Sequence, residues 1–250
     1  MRERVDDLRC WMRKDRVLGT FLKLPSNAVV EIAAESFDFA VVDREHSQLS
    51  EGDALAMAGH ARAIGFPAVV RLPELDAAAV NRALEAGAVG IQLSQVETGA
   101  QLEGLRSVCE YSPLGRRSVS LGHSLADFGA VPLDEYVRNA AHPLIVAQIE
   151  SLAGAANADE ILGSRPDVAF LGLSDLNVDA GFDQEKVKAA IELVREAAAR
   201  HGVFLGAINM DDPDVRYSMI SSDVDLLRRA MLDAPGRSGQ PTRKEAGDEG

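Results

Sequence analysis

Apolar runs of strand length alternate with longer segments of helical periodicity along almost the whole chain, and this alternation restricts the fold more than any other feature. The strand-like runs fall at 17–24, 37–43, 67–71, 89–95, 144–150, 167–175, 203–209 and 217–222. Segments 26–35, 50–64, 76–86, 98–110, 134–141, 152–163, 184–201 and 223–233 carry helical patterns, and residues 2–13 make a short amphipathic helix ahead of the first strand. Pro25 and Ser26 mark a helix start, and Gly65 and Gly87 stand where helix-ending glycines belong. Near-continuous apolar strands separated by helices imply a parallel sheet covered on both faces. Eight such units in residues 1–233 predict a single α/β domain, a closed (β/α)8 TIM barrel. No GxGxxG follows the first strand to suggest a doubly wound sheet. Only residues 210–216 separate strands seven and eight, too few for a full helix, and the composition of 234–250 predicts a disordered tail.

The ends of the runs carry the chemistry. Phe39, Ala40, Val41 and Val42 pass directly into Asp43, Arg44, Glu45 and His46. PAVVR ends on Arg71, LIVAQIE on Gln148 and Glu150, and VAFLGLSD on Asp175. One such cluster would be a solvated turn, but recurrence at the same end of successive buried strands implies one shared polar face. In a barrel that face is where active sites lie. The stretch 111–132, rich in Gly, Ser and Pro and long for a connection, is expected to be a functional loop carried over one face.

Charge and cysteine usage narrow the function classes. With 39 acidic against 26 basic residues the net charge is −13, which repels nucleic acid and anionic membrane. Cys10 and Cys109 show no CxxC spacing, so neither a zinc site nor a disulfide framework is indicated. The charged N-terminus lacks an apolar signal core, and no run approaches membrane-span length. A cytoplasmic location is expected.

Glu150 and Asp175, ending adjacent strands with Gln148 beside them, make an oxygen-donor set suited to Mg²⁺ or Mn²⁺; the alternative is a pair satisfied by arginines. Arg71 could bind a carboxylate or ketone oxygen, or simply pair with Glu45. His46 with Asp43 forms a plausible oriented base, the carboxylate holding the imidazole tautomer. A metal, an arginine and a His/Asp pair suit enolate chemistry.

The ordered motifs DREHS, VVRLP, VAQIES and FLGLSDLNVDAGF resemble the HpcH/HpaI family of class II 2-oxo-acid aldolases, relatives of the citrate lyase β-subunit, over about Gly19 to Arg229. The resemblance implies that Glu150 and Asp175 ligate a divalent metal that also chelates the carboxylate and keto oxygen of pyruvate or oxaloacetate. It implies that Arg71 stabilises the enolate and that His46 and Asp43 act in acid/base catalysis. Gln148 would line the pocket, and the N–H groups of Ser174 and Asp175 would hold the substrate carboxylate. Members are commonly hexamers with swapped C-terminal helices, so a homo-oligomer, hexameric or dimer-based, is expected.

The departures fall on the second-substrate side. Arg44 replaces a small residue, Ser47-Gln48 replaces Ala-Pro or Gly-Pro, Leu173-Ser174 falls within a Gly-Pro-x-Asp-Leu motif, and Ser94 replaces a common proline. In Arg44, the HSQLS continuation and the RRSVSLGHS loop (116–124) the chain is similar to the aldolase-type citrate synthases of siderophore pathways, which add the acetyl-CoA enolate to oxaloacetate. On that reading Arg44, Arg116, Arg117 or His123 would meet the second substrate, the alternative being a solvated basic loop. Two further classes remain open: a Schiff-base aldolase using Lys23, and a non-catalytic barrel that binds a dicarboxylate.

Overall fold

The computed structural model describes residues 2–234, with side chains from residue 8 onward. The chain opens with α1 (Arg2–Lys14) and then alternates β1 (Val17–Leu22), α2 (Asn27–Ser36), β2 (Phe39–Asp43), α3 (Glu51–Ile64), β3 (Ala68–Leu72), α4 (Ala77–Ala86), β4 (Gly90–Leu93) and α5 (Gly99–Cys109). A long connection holds one 3₁₀ segment (Ser124–Gly129) and α6 (Leu133–Arg138). Then come β5 (Leu144–Ile149), α7 (Leu152–Ala156), α8 (Ala158–Gly163), β6 (Val168–Leu171), α9 (Leu173–Asp179), α10 (Gln184–His201), β7 (Phe204–Ile208), β8 (Val215–Ser222) and α11 (Asp223–Leu232). Each strand pairs in parallel with the next and β8 returns to β1, closing the (β/α)8 barrel that the alternation predicts. The tail, from residue 235 on, lies outside the described residues.

Local signals account for the element ends. Ser50 and Asp53 form a capping box at the start of α3, and Asp76, Asp183 and Ser222 accept first-turn N–H groups of α4, α10 and α11. Gly65 and Gly87 end α3 and α4 in the left-handed region.

Two cores result from the alternation of side chains along each strand. Outward residues such as Val42, Val70, Ile91 and Leu171 pack under the helices, while Val17, Phe39, Val41, Val69, Leu144, Val146 and Tyr217 fill the barrel interior. Leu8 and Met12 of α1 are fully buried in that inner core. Helix α1 therefore closes the end of the barrel where the strands begin, held there by Arg9, which bonds Asp167 at 2.7 Å and the His142 carbonyl at 2.8 Å. Toward the other end the interior turns polar, with Asp43, Arg71, Gln92, Gln148 and Glu150 all buried. Buried polar groups persist only where they are hydrogen-bonded, so this end is the one organised by side-chain chemistry.

Several boundaries differ from the sequence reading. The sixth strand stops at Leu171 instead of running to 175, because the chain must pass close to Glu150: a Cβ on Gly172 would lie 2.4 Å from Glu150 Oε2. Residues 173–179 wind into α9, so Ser174 and Asp175 sit on a first helical turn and not on a strand end. The expected helix 152–163 breaks at Asn157 into α7 and α8, and the helix expected at 134–141 spans only Leu133–Arg138. Strand β8 begins at Val215, two residues early, through an irregular pairing with β7. Between β7 and β8 there is no helix, as the spacing requires. Segment 209–214, with left-handed backbone at Asn209 and a turn at 213–214, makes the return instead, and Arg195 of α10 clamps it through Asp212 and, at 2.9 Å, Asp214.

Candidate active site

Strand register brings the polar layer together. Pairing of β2 with β3 sets Asp43 beside Arg71, and pairing of β3 with β4 sets Arg71 beside Gln92. Arg71 donates to Asp43 through two parallel hydrogen bonds, Nε to Oδ1 at 2.9 Å and Nη2 to Oδ2 at 2.5 Å. Its Nη1 lies 3.3 Å from Glu45 Oε2, and its guanidinium stands 4.7 Å over the Phe21 ring. Asp43 is wholly buried and also has Lys23 Nζ at 3.4 Å. Burial by itself would push the Asp43 carboxyl up; the Arg71 hydrogen bond and charge, with the N–H groups of His46 and Glu45, outweigh it and hold the group below its ordinary value.

Asp43 does not orient the His46 imidazole. Its Oδ1 accepts the backbone N–H groups of Glu45 and His46, at 2.9 and 3.1 Å, and its remaining capacity is taken by Arg71. The His46 ring, about half exposed, turns instead toward Glu45, with Nε2 3.8 Å from Oε2. Glu45 is thus shared by Arg71, His46 and the hydroxyl of Ser94, which donates at 2.6 Å. The pairing of Arg71 with Glu45, open in the sequence, is present together with the stronger pairing to Asp43.

Across the mouth, Glu150 follows β5 directly. Its Oε1 accepts the N–H of Gln95 at 2.8 Å, a residue in left-handed backbone geometry, and its Oε2 accepts from Gln148 Nε2. Among the described residues no arginine or lysine pairs with it. Burial raises the Glu150 carboxyl above its ordinary value, and the charges of Glu45 and Asp175 add to that, against the hydrogen bonds from Gln148 and Gln95. Asp175, in the exposed first turn of α9, lines the same cavity of about 270 Å³ as Arg71, His46, Gln148, Ser174 and Lys23. Two carboxylates with unneutralised charge fit a hard divalent cation such as Mg²⁺ or Mn²⁺ that keeps water positions open. The alternative of a pair satisfied by arginines is not what the described residues form. They contain no group of three or more His, Cys, Asp or Glu side chains that would cage a metal, so such a cation would rest on this pair.

Arg44, Arg116, Arg117 and His123 do not line this cavity. Connection 110–132 leaves the C-terminal end of α5, so it starts on the face where strands begin, opposite the polar layer. It folds back on α5, where Arg116 and Arg117 donate N–H groups to Ser107 and Glu110, and runs over the outer helices, where Arg62 of α3 reaches Ser124. The Arg117 side chain is buried over Tyr111, bonding Asn81 at 3.0 Å, and His123 packs on Tyr136. Arg44 stays near the mouth but faces Glu51 at 3.8 Å. The sequence reading missed Gln92 and Gln95, the lining residues Ser221, Ser222 and Asp225, and the sharing of Glu45. Gln92 had a legible signal: it is a polar residue inside an apolar strand, at the same inward parity as Gly90 and Ser94.

The profile of the HpcH/HpaI aldolase/citrate lyase family matches residues 18–219. The chain belongs to the HpcH/HpaI family. It is 31% identical to a hydroxypyruvate/pyruvate aldolase of Rhizorhabdus wittichii, over 79% of this chain and 82% of that protein. It is 29% identical to a 4-hydroxy-4-methyl-2-oxoglutarate aldolase of Chaetomium globosum, over 82% and 84%. An HpcH/HpaI aldolase/citrate lyase family protein from Burkholderia cenocepacia superposes with a TM-score of 0.82 at 26% identity, covering 92% of this chain and 96% of that one. As an HpcH/HpaI protein the chain is of aldolase/lyase type. No described helix is long and apolar enough to cross a membrane.

Proposed function

We propose that this HpcH/HpaI protein is a divalent-metal-dependent class II aldolase that makes or breaks the bond between the enolisable carbon of a 2-oxo acid, pyruvate or oxaloacetate, and a small neutral aldehyde. The observation that carries the reading is Glu150, buried without a cationic partner among the described residues, within reach of the Asp175 charge and bonded to Gln148, which lines the cavity together with Asp175, Arg71 and His46. A divalent cation held by Glu150 and Asp175 would supply Lewis acidity toward the 2-oxo acid. Gln148 and the unpaired first-turn N–H groups of α9 at Ser174 and Asp175 would hold the substrate carboxylate. Arg71, kept rigid by Asp43, offers its guanidinium to the developing enolate oxygen. His46 takes the proton from the carbon next to the keto group, with Glu45 beside the ring to stabilise the imidazolium. The enolate carbon then attacks the aldehyde carbonyl carbon, one carbon–carbon bond forms, and the aldehyde oxygen takes up a proton to give a 4-hydroxy-2-oxo acid. Cleavage is the reverse.

Size and charge favour a small neutral second substrate over acetyl-CoA. The cavity lies below the usual 300–1,000 Å³ of drug-sized sites. Around it stand Asp43, Glu45, Glu150, Asp175 and Asp225 against Arg71 and Lys23, so a polyanion would enter a field of its own sign even with a metal bound. Arg116 and Arg117, the cations needed by the citrate synthase reading, lie on the outer helices. Lys23 is engaged with Asp43, which leaves a Schiff-base role without support.

We also infer a homo-oligomer, supported by the apolar face of α11, where Val224, Leu227, Met231 and Leu232 are exposed together. The deciding experiment incubates the protein with pyruvate and short aldehydes, or with oxaloacetate and acetyl-CoA, each with Mg²⁺, Mn²⁺ or chelator, and identifies products by mass. A 4-hydroxy-2-oxo acid formed only with metal, and lost in Glu150→Gln, is expected. Full turnover after exhaustive chelation, or borohydride trapping of substrate on Lys23, would overturn the reading, and thiol release from acetyl-CoA would make it a citrate synthase.

A further inference from the structure

We propose that Gln92 is a positioning residue for Glu150, acting through Gln148 from the neighbouring strand. The proposal rests on the reading that Glu150 holds a divalent cation. Gln92 is fully buried inside the barrel, one layer below the mouth, and does not line the cavity. Its Nε2 donates to Gln148 Oε1 at 2.6 Å, and Gln148 Nε2 in turn donates to Glu150 Oε2. The other carboxylate oxygen is held by the Gln95 N–H at 2.8 Å. Both oxygens of Glu150 are therefore fixed from the β4 side, one by a backbone amide and one by a chain of two side-chain amides.

The direction of that chain follows from chemistry. An amide can present either its oxygen or its nitrogen to a neighbour, and an ionised carboxylate only accepts. Gln148 must turn its NH₂ toward Glu150, which leaves its oxygen facing Gln92, and that oxygen is satisfied only if Gln92 turns its own NH₂ inward. Without Gln92, the Gln148 oxygen loses its donor, and only the contact with Glu150 holds the amide in that orientation. The other orientation would set oxygen against carboxylate.

A second observation separates this role from ordinary packing. Gln92 Oε1 is buried with no hydrogen-bond partner. A buried acceptor left unpaired destabilises the fold, so an apolar residue of similar shape would serve the barrel at least as well. A residue that stability alone would not retain, bonded to the group that orients a carboxylate at the mouth, fits a role in the site. Removing a group that hydrogen-bonds a metal ligand typically costs 10- to 100-fold in metal affinity.

The test measures Mn²⁺ affinity by titration calorimetry, and Tm of the metal-free protein, for wild type, Gln92→Met, Gln92→Leu, Gln148→Met, the Gln92→Met/Gln148→Met double variant and Glu150→Gln. Gln92→Met is expected to weaken Mn²⁺ binding by roughly tenfold or more, with an unchanged or raised Tm. In the Gln148→Met background the same change should shift affinity by less than about twofold, since the effect travels through Gln148. Gln92→Leu should repeat the pattern and serves if the Met variant does not fold. Unchanged Mn²⁺ affinity in both Gln92 variants, a weakening that persists without Gln148, or a Tm that falls in step with affinity would overturn the proposal. Glu150→Gln keeps the two readings apart. If it leaves Mn²⁺ binding intact, the metal assignment fails; if it abolishes binding while the Gln92 variants bind normally, only the positioning role fails.

Discussion

Asp43 and His46 stand three residues apart, yet burial gives them opposite tasks. Asp43, at the last inward position of β2, is closed off from water and holds Arg71 in a two-bond grip, whereas His46 is carried past the strand end into the cavity. Replacing Asp43 by Asn should therefore act first on stability. Removing one partner of a buried ion pair costs about 3–5 kcal/mol, because Arg71 keeps its charge. The sign with pH follows from the depressed Asp43 carboxyl. Its contribution is complete above the unfolded value of 3.8 and is lost as pH falls through the lower folded value. Denaturant titrations should thus show a wide gap between wild type and Asp43→Asn at pH 7 that narrows below pH 3.8; a gap independent of pH would show that the ion pair is not its source. His46→Ala should leave the fold and Mn²⁺ binding in place and slow exchange of pyruvate methyl protons with solvent by roughly 10²–10⁴-fold. Exchange at the wild-type rate would remove His46 from proton transfer. The adjacency of Asp and His suggested an oriented dyad, but a carboxylate so enclosed has no lone pair to spare for the ring. Glu45, one residue from His46, is the carboxylate that remains.

At the scale of elements, β2–β5 deliver the polar layer by register, and α9 delivers Asp175 through a helical turn that begins at Gly172. The shortened link from β7 to β8 departs most from a regular barrel. A parallel crossover ordinarily needs a dozen or more residues, yet segment 209–214 makes the return without a helix and is tied down by Arg195. Arg195 bonds Asp212 and Asp214, and its hydrogen bond and charge hold the Asp212 carboxyl below the ordinary range. Arg195→Ala is expected to destabilise the chain by about 1–2 kcal/mol, as hydrogen bonds to charged groups are worth more than neutral ones, while leaving Mn²⁺ affinity unchanged. A chemical denaturation midpoint equal to that of wild type would show that the clamp adds nothing. The missing helix was legible from spacing alone, whereas its replacement by an arginine clamp was not, since 17 residues separate Arg195 from Asp212.

For the whole molecule, the exposed apolar face of α11 predicts assembly. Leu227→Glu with Met231→Glu should lower the mass seen by light scattering and expose no new thermal weakness in the dissociated chain; an unchanged mass would place any interface elsewhere. The sequence by itself determined the architecture, because eight buried strands with intervening helices leave a closed parallel barrel as the packing that covers every apolar face. It also determined which end of the barrel is polar, since charged side chains follow the same end of each strand. Tertiary structure alone decided which of those side chains meet. Register put Asp43 against Arg71, and a helical turn put Asp175 into the cavity with Arg71, His46 and Gln148. Helix polarity carried the 110–132 connection, with Arg116, Arg117 and His123, to the far side of the barrel. These outcomes depend on strand pairing and on the direction in which each element crosses the sheet, distances that neighbours along the chain do not encode.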